Sequence, residues 1–137
     1  MSSSGDHGEL RKDFPGGWPD DEKDAFTGNG LNETELKAQS YLKRLLNWRK
    51  GNLAIAKGDL IHYPVKDNVY VYFRNYQKNL VMVIVNNSER AKTVYPNQYN
   101  EIIKGRTKGV NIINNRLHYL LREINISGKS TMILEIH

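Results

Sequence analysis

The residues best suited to recognition chemistry fall at every second position of one stretch: Tyr70, Tyr72, Arg74, Tyr76 and Lys78. On a β-strand that spacing sends all five side chains to one face. Rings interleaved with cations make surfaces on which bases or sugars stack. A tyrosine-rich exterior, or a second buried sheet face, would read the same way. Trp18 adds an exposed ring in a glycine- and proline-rich stretch. The histidines, His7, His62, His118 and His137, are scattered, none three or four positions from another histidine. His62 has Asp59 three positions before it, but no second histidine or further ligand joins that pair, so no zinc-site pattern results. Gly128-Lys129-Ser130-Thr131 copies the end of a phosphate-binding loop, but Glu123 stands where that motif needs its first glycine. Thr131-Met132-Ile133-Leu134-Glu135-Ile136 then reads as a strand, without the helix N-terminus that would hold phosphate.

Asp13, Asp20, Asp21 and Asp24 could supply a carboxylate pair for glycoside hydrolysis or a calcium loop. A retaining pair needs two carboxyls about 5–5.5 Å apart on rigid supports. A segment broken by Pro15, Gly16, Gly17 and Pro19 offers none, and the glycine and terminal Glu of a calcium loop are missing. The chain therefore presents no catalytic residues, no metal ligands and no cofactor motif. Its 137 residues are too few for a (β/α)8 barrel, which takes about 250. Without cysteine, disulfide and thiolate chemistry are excluded. No apolar run approaches the ~20 residues of a membrane helix. Met1–Gly8 carries no apolar stretch of the signal-peptide kind, and the compartment stays open. Residues 1–35 hold three basic and nine acidic side chains, and the remainder seventeen basic and six acidic. Those later cations are dispersed, with no block of five or more, as on a solvated surface, which argues against a nucleic-acid partner. Fifteen asparagines favour turns and caps, and three of them fall in glycosylation-type triplets at a frequency near chance.

The elements that must position these residues begin with an irregular segment, residues 1–30, in which Asp20-Asp21-Glu22 could open one helical turn. A helix is predicted over 31–51. Asn32 caps it, Glu35 closes a capping box, and Leu31 with Leu36 forms a hydrophobic staple. Ala38, Leu42, Leu45 and Leu46 form an apolar stripe flanked by Tyr41 and Trp48. Gly51 is the expected left-handed terminator. So broad an apolar face must pack on something large.

Beyond residue 52 the period becomes two. Strands are expected at Asp59–Tyr63, Val69–Asn75 and Leu80–Val85, the last continuously apolar and therefore central. Lys92–Tyr95 reads as a further strand and Asn97–Ile103 as a short helix or turn closed by Gly105. Val110–Ile113 and Arg116–Leu121 read as a hairpin about Asn114-Asn115. Glu123–Ile126 and Ser130–Ile136 read as a last pair about Ser127-Gly128-Lys129. The fold class is thus mainly β: an antiparallel β-sandwich preceded by one amphipathic helix and an irregular N-terminal segment.

One segment is not explained by periodicity or turn chemistry: Arg11-Lys12-Asp13-Phe14-Pro15-Gly16-Gly17-Trp18-Pro19-Asp20-Asp21, followed by Asp24-Ala25-Phe26-Thr27-Gly28. It closely resembles the stretch after the last barrel strand of cyclomaltodextrinases and neopullulanases, in the α-amylase family of glycoside hydrolases. The resemblance continues through Leu45-Leu46-Asn47-Trp48-Arg49, Gly58-Asp59-Leu60-Ile61-His62-Tyr63, Val69-Tyr70-Val71-Tyr72-Phe73-Arg74 and Leu80–Asn86. It weakens from Ser88 to Lys129 and returns at Leu134-Glu135-Ile136.

The resemblance implies a piece of a larger bacterial enzyme of carbohydrate metabolism that hydrolyses α-1,4-glucosidic bonds by a retaining carboxylate mechanism. Residues 1–30 would be the barrel-end loop, mobile without its barrel, and 31–51 the last barrel helix. Residues 52–137 would be a β-sandwich of the α-amylase C-terminal type. The family's catalytic acids lie on earlier barrel strands, so none carries over to this chain. The partners implied are the parent's barrel and, through the parent, an α-glucan or cyclodextrin, with no nucleic acid and no membrane. Two alternatives are a carbohydrate-binding module using Trp18, Tyr70, Tyr72 and Tyr76, and a basic nucleic-acid-binding β-domain. Without a barrel, Leu42, Leu45, Leu46 and Trp48 must fold onto the sandwich, pair with another copy, or stay exposed.

Overall fold

The computed structural model describes residues 13–137. His7 and the Arg11-Lys12 opening of the motif lie outside the described residues. Two compact units result, Met1–Lys43 and Arg44–His137.

In the first unit, Asp13 to Leu31 is a chain of turns organised by two carboxylates. Asp21 Oδ2 accepts from the amides of Gly16 at 2.8 Å and Trp18 at 3.1 Å. Asp24 accepts from the Phe26 amide at 2.7 Å and the Thr27 hydroxyl at 2.8 Å. Those bonds, the Thr27 hydroxyl foremost, hold its carboxyl below the usual aspartate range. Gly16 has φ +92°, and a Cβ there would lie 2.5 Å from Asp24 Oδ1, so the glycine is required by backbone conformation and by space. Asp20-Asp21-Glu22 opens no helix. Of its acids, Asp21 serves the turns instead.

Helix α1, Glu33–Gly51, starts as its sequence dictates. Asn32 Oδ1 accepts from the Glu35 amide at 3.0 Å and Glu35 Oε2 from the Asn32 amide at 2.8 Å, the reciprocal capping box. Lys23, 2.7 Å from Glu35, and the Asn32 amide lower that carboxyl's pKa. The C-terminus departs from expectation. Gly51 stays helical without a positive φ, because the chain does not reverse there. Instead Asn52 caps a second short helix, α2, Leu53–Lys57, accepting from the Ile55 amide at 3.1 Å.

The rest is an antiparallel sandwich with unequal layers. One sheet has six strands in the order β1-β2-β3-β8-β5-β6; the other is the pair β4-β7. Their ranges are β1 Asp59–His62, β2 Val69–Tyr76, β3 Asn79–Asn86, β4 Lys92–Val94, β5 Lys108–Asn111, β6 Leu117–Tyr119, β7 Ile124–Ile126 and β8 Ser130–Ile136. Strand β3 is central and buried on both faces, as its unbroken apolar run requires. Val71, Phe73, Met82, Ile84, Leu134 and Ile136 face the small sheet's Val94, Ile124 and Ile126. Each such side chain contributes about 1.5–3 kcal/mol on burial. A 3₁₀ turn, Pro96–Tyr99, and helix α3, Asn100–Ile103, close that core with Ile102 and Ile103.

One expected pairing is corrected, and one connection; the β5–β6 hairpin itself forms as expected. β7 does not pair with β8; it crosses to β4, while β8 lies between β3 and β5. The buried Asn86 side chain enforces the crossing by donating to the carbonyls of Arg90 and Ser127, both at 2.9 Å. Gly128 permits it, since a Cβ there would sit 2.2 Å from the Glu89 carbonyl oxygen. The β5–β6 connection is also longer than an Asn114-Asn115 turn: β5 ends at Asn111, and of that pair only Asn115 takes a positive φ. Ile112 begins the turn while its amide still donates to the Ile133 carbonyl of β8 at 3.1 Å, and its side chain is buried in a second apolar cluster on the sheet's other face. The segment 97–103 and the Ser130 strand start agree with expectation.

Candidate functional site

That other face carries the tyrosine row. Tyr70, Tyr72, Arg74 and Tyr76 share one side of β2, all half-buried, while Lys78 falls in the hairpin turn to β3. The rings of Tyr70 and Tyr72 are 5.4 Å apart, with His62 at 6.3 Å from Tyr70. An open groove beside them is lined by Arg49, Ile55 and Leu60. Much of the row is nevertheless engaged in packing. Tyr72 and Tyr76 lie against Ala54, Val81, Val83 and Ile133, together with Leu45 and Trp48 of α1. Burial, reinforced by Tyr70, raises the Tyr72 phenol pKa, with Arg74 opposing.

The polar groups of this face clamp the helices. Arg74 donates to the carbonyls of Ala54 at 3.3 Å and Ile55 at 3.0 Å, satisfying acceptors at the end of α2. Register places Val81 between Arg74 and Glu135. Glu135 Oε1 accepts from Trp48 Nε1 at 2.6 Å and Asn52 Nδ2 at 2.8 Å. Arg44 donates to the Ile113 carbonyl. Of the predicted stripe, Leu45 and Trp48 therefore pack on the sandwich, while Leu42 and Leu46 are exposed at 53% and 44%. The structure groups Tyr70, Tyr72 and Tyr76. Trp18, 67% exposed, belongs to the first unit and shares no element with them.

A second concavity, of about 190 Å³, was not legible in the sequence. Val69, Val71 and Val94 form its apolar floor, and Lys66, Asp67, Lys92, Gln98 and Tyr95 stand around it. None of these five side chains has a hydrogen-bonding partner among the described residues. Asp67 and Asn68 both take positive φ in the tight turn closed by Lys66 and Val69. Behind it, Tyr99 stacks edge-on against Tyr63 at 4.7 Å. The Tyr63 phenol, desolvated and donating to Glu101 at 2.6 Å, is pushed up to about 12. Among the described residues no three metal-ligating side chains converge.

This geometry has known counterparts. Amylase AmyP in complex with maltose superposes with a TM-score of 0.67 at 16% identity, over 79% of this chain and 22% of AmyP. The α-amylase of Geobacillus thermoleovorans, complexed with acarbose, gives 0.61 at 15%, over 80% of this chain and 25% of that one. Maltogenic amylase from S. marinus gives 0.55 at 15%, over 74% and 12%. The chain thus spans a quarter or less of each of these enzymes, and the likeness is one of fold. The sequence model of the cyclo-malto-dextrinase C-terminal domain matches residues 60–135, from within β1 to within β8. With more than half its length so matched, the chain belongs to the cyclo-malto-dextrinase C-terminal domain family.

Proposed function

We propose that the chain is the C-terminal, structural sandwich of an α-glucan-hydrolysing enzyme related to cyclomaltodextrinases and neopullulanases, and is not catalytic by itself. Residues up to 30 serve as the barrel-end loop, 31–51 as the last barrel helix and 52–137 as the C-terminal domain. The parent's barrel supplies the retaining carboxylate pair. The observation that carries this reading is the double use of α1. Its last turns are clamped to the sandwich through Trp48 and Glu135, while Leu42 and Leu46 remain exposed to receive another body. The barrel of the same enzyme is that body, and a second copy of the chain can substitute for it.

A reducing-sugar assay tests the reading. The 137-residue chain alone should release nothing from cyclodextrin or pullulan, and the open reading frame should encode an α-amylase-type barrel in frame ahead of it. Sugar release by the chain alone rejects the reading.

A further inference from the structure

Of the fifteen asparagines, Asn29 alone precedes a glycine. A backbone amide nitrogen can attack the side-chain amide of the asparagine before it, and glycine leaves that approach free of a β-carbon. The reaction also needs both groups unengaged, and the fold holds neither. The Asn29 side chain is exposed and has no hydrogen-bonding partner among the described residues, where the Gly30 amide likewise finds no acceptor.

Other asparagines are guarded. Ser88, the smallest residue to follow any of them, donates its amide to Asn86 Oδ1 at 3.0 Å. Arg116, after exposed Asn115, donates its amide to Asn114 Oδ1 at 2.9 Å. In both places the attacking nitrogen is occupied. Nor can the turn exchange its glycine for a slower residue. Gly30 takes φ +72°, and a Cβ there would lie 2.2 Å from the Glu22 carbonyl oxygen.

We infer that Asn29 is a site of spontaneous covalent modification, losing its side-chain amide through a cyclic imide with Gly30. Hydroxide removes the Gly30 amide proton, and the nitrogen forms a bond to Asn29 Cγ. The Cγ–Nδ2 bond breaks, and that nitrogen takes a proton from water and leaves as ammonia. One water then opens the ring at either carbonyl. Opening at Cγ gives aspartate. Opening at the main-chain carbon gives isoaspartate, in which the carbonyl that accepts from the Asp24 amide at 2.9 Å becomes a free carboxylate. One carbon then enters the backbone before Gly30, so this product undoes the turn that Asp24 organises. Either product adds a negative charge to a segment already holding Asp20, Asp21, Glu22 and Asp24. The chemistry does not depend on the proposed function.

Peptide mass spectrometry of the 137-residue chain, incubated folded at pH 7 and at pH 8, tests the site. The peptide containing Asn29 should exchange ammonia for water before any other, about tenfold faster at pH 8 because hydroxide takes the proton. Fragmentation should find isoaspartate beside aspartate. Asn29→Gln should remove the change over the same period, since its longer side chain would have to close a six-membered ring. That variant keeps the fold, because the side chain it replaces is exposed and unpaired. In the aged protein the amides of residues 24–30 should exchange severalfold faster. In Asn29→Asp, which adds the charge without the extra carbon, they should not. Three results overturn the site: an intact Asn29 in the folded chain when the same chain in urea loses ammonia there, earlier loss at Asn87 or Asn115, or a rate indifferent to pH.

Discussion

Between Asp13 and Leu31 the described chain is held by Asp21 and Asp24, which gather backbone amides around Gly16. Its apolar side chains Phe14, Trp18 and Phe26 remain more than half exposed. Between Asp59 and Ile136 the weights are inverted: valine, isoleucine, leucine, methionine and phenylalanine side chains fill two clusters, and few polar groups are buried. A carboxylate that accepts several amides fixes local backbone shape but removes little apolar surface from water. A packed sheet does the opposite. The first unit therefore has a shape specified largely without a core. The second is specified by the apolar area that its two clusters remove from water.

The largest test of this contrast falls on Phe73. The side chain is fully buried, with Tyr63 and Tyr99 rings 6.0 and 5.6 Å away. Phe73→Ala should lower the second unit's unfolding free energy by about 3–5 kcal/mol, measured from the urea midpoint. A loss below about 1 kcal/mol would mean that this cluster does not hold the sandwich together.

The same contrast decides what the sequence could reveal. Strands β1 to β3 were legible because a half-buried strand alternates and a central one does not. Asn32 and Glu35 declared the helix start because capping is local. The pairing of β7 was hidden, since Ile124 and Ile126 alternate equally well for either sheet; the choice is made by Asn86 and Gly128, contacts remote in sequence. Gly51 misled because a terminator and a join between two helices look alike. The tyrosine row was legible as a row, but its half-burial depends on α1 and α2 docking over it. The 13–28 motif was legible as a resemblance only, because the amide-gathering role of Asp24 depends on turns that the residue types do not fix. The cleft joins Lys66 and Asp67 to Lys92 and Gln98, and only the crossing of β4 to β7 brings them together.

Asp24 gives the sharper test, with a smaller and local effect. Asp24→Ala removes the acceptor for the Phe26 and Thr27 amides and the Thr27 hydroxyl. Amides of residues 16–30 should then exchange severalfold faster, while the urea midpoint of the sandwich stays in place. A midpoint shifted as far as by Phe73→Ala would show that the two units do not rest on separate interactions.

The smallest effect is expected at His118, where a titratable ring lies against the apolar packing of the sandwich. Register sets it in one row with Gly109 and Ile136, on the face of the main core. Gly109 has no room for more, since a Cβ there would lie 3.0 Å from Ile136 Cδ1. His118 Nε2 is buried without a hydrogen-bond partner among the described residues. Burial, and then the nearby Arg116, lower the imidazole's pKa below its ordinary 6.5. A depressed folded-state value means that the neutral ring is favoured by folding. Its contribution is present above pH 6.5 and is lost as pH falls through the folded-state value. The melting temperature should therefore drop on acidification below pH 6.5, and His118→Gln, which cannot protonate there, should flatten that slope without changing stability much at pH 8. Parallel slopes for the two proteins would place the acid sensitivity elsewhere. The core would then tolerate a charged imidazole, contrary to a sandwich held by apolar burial alone.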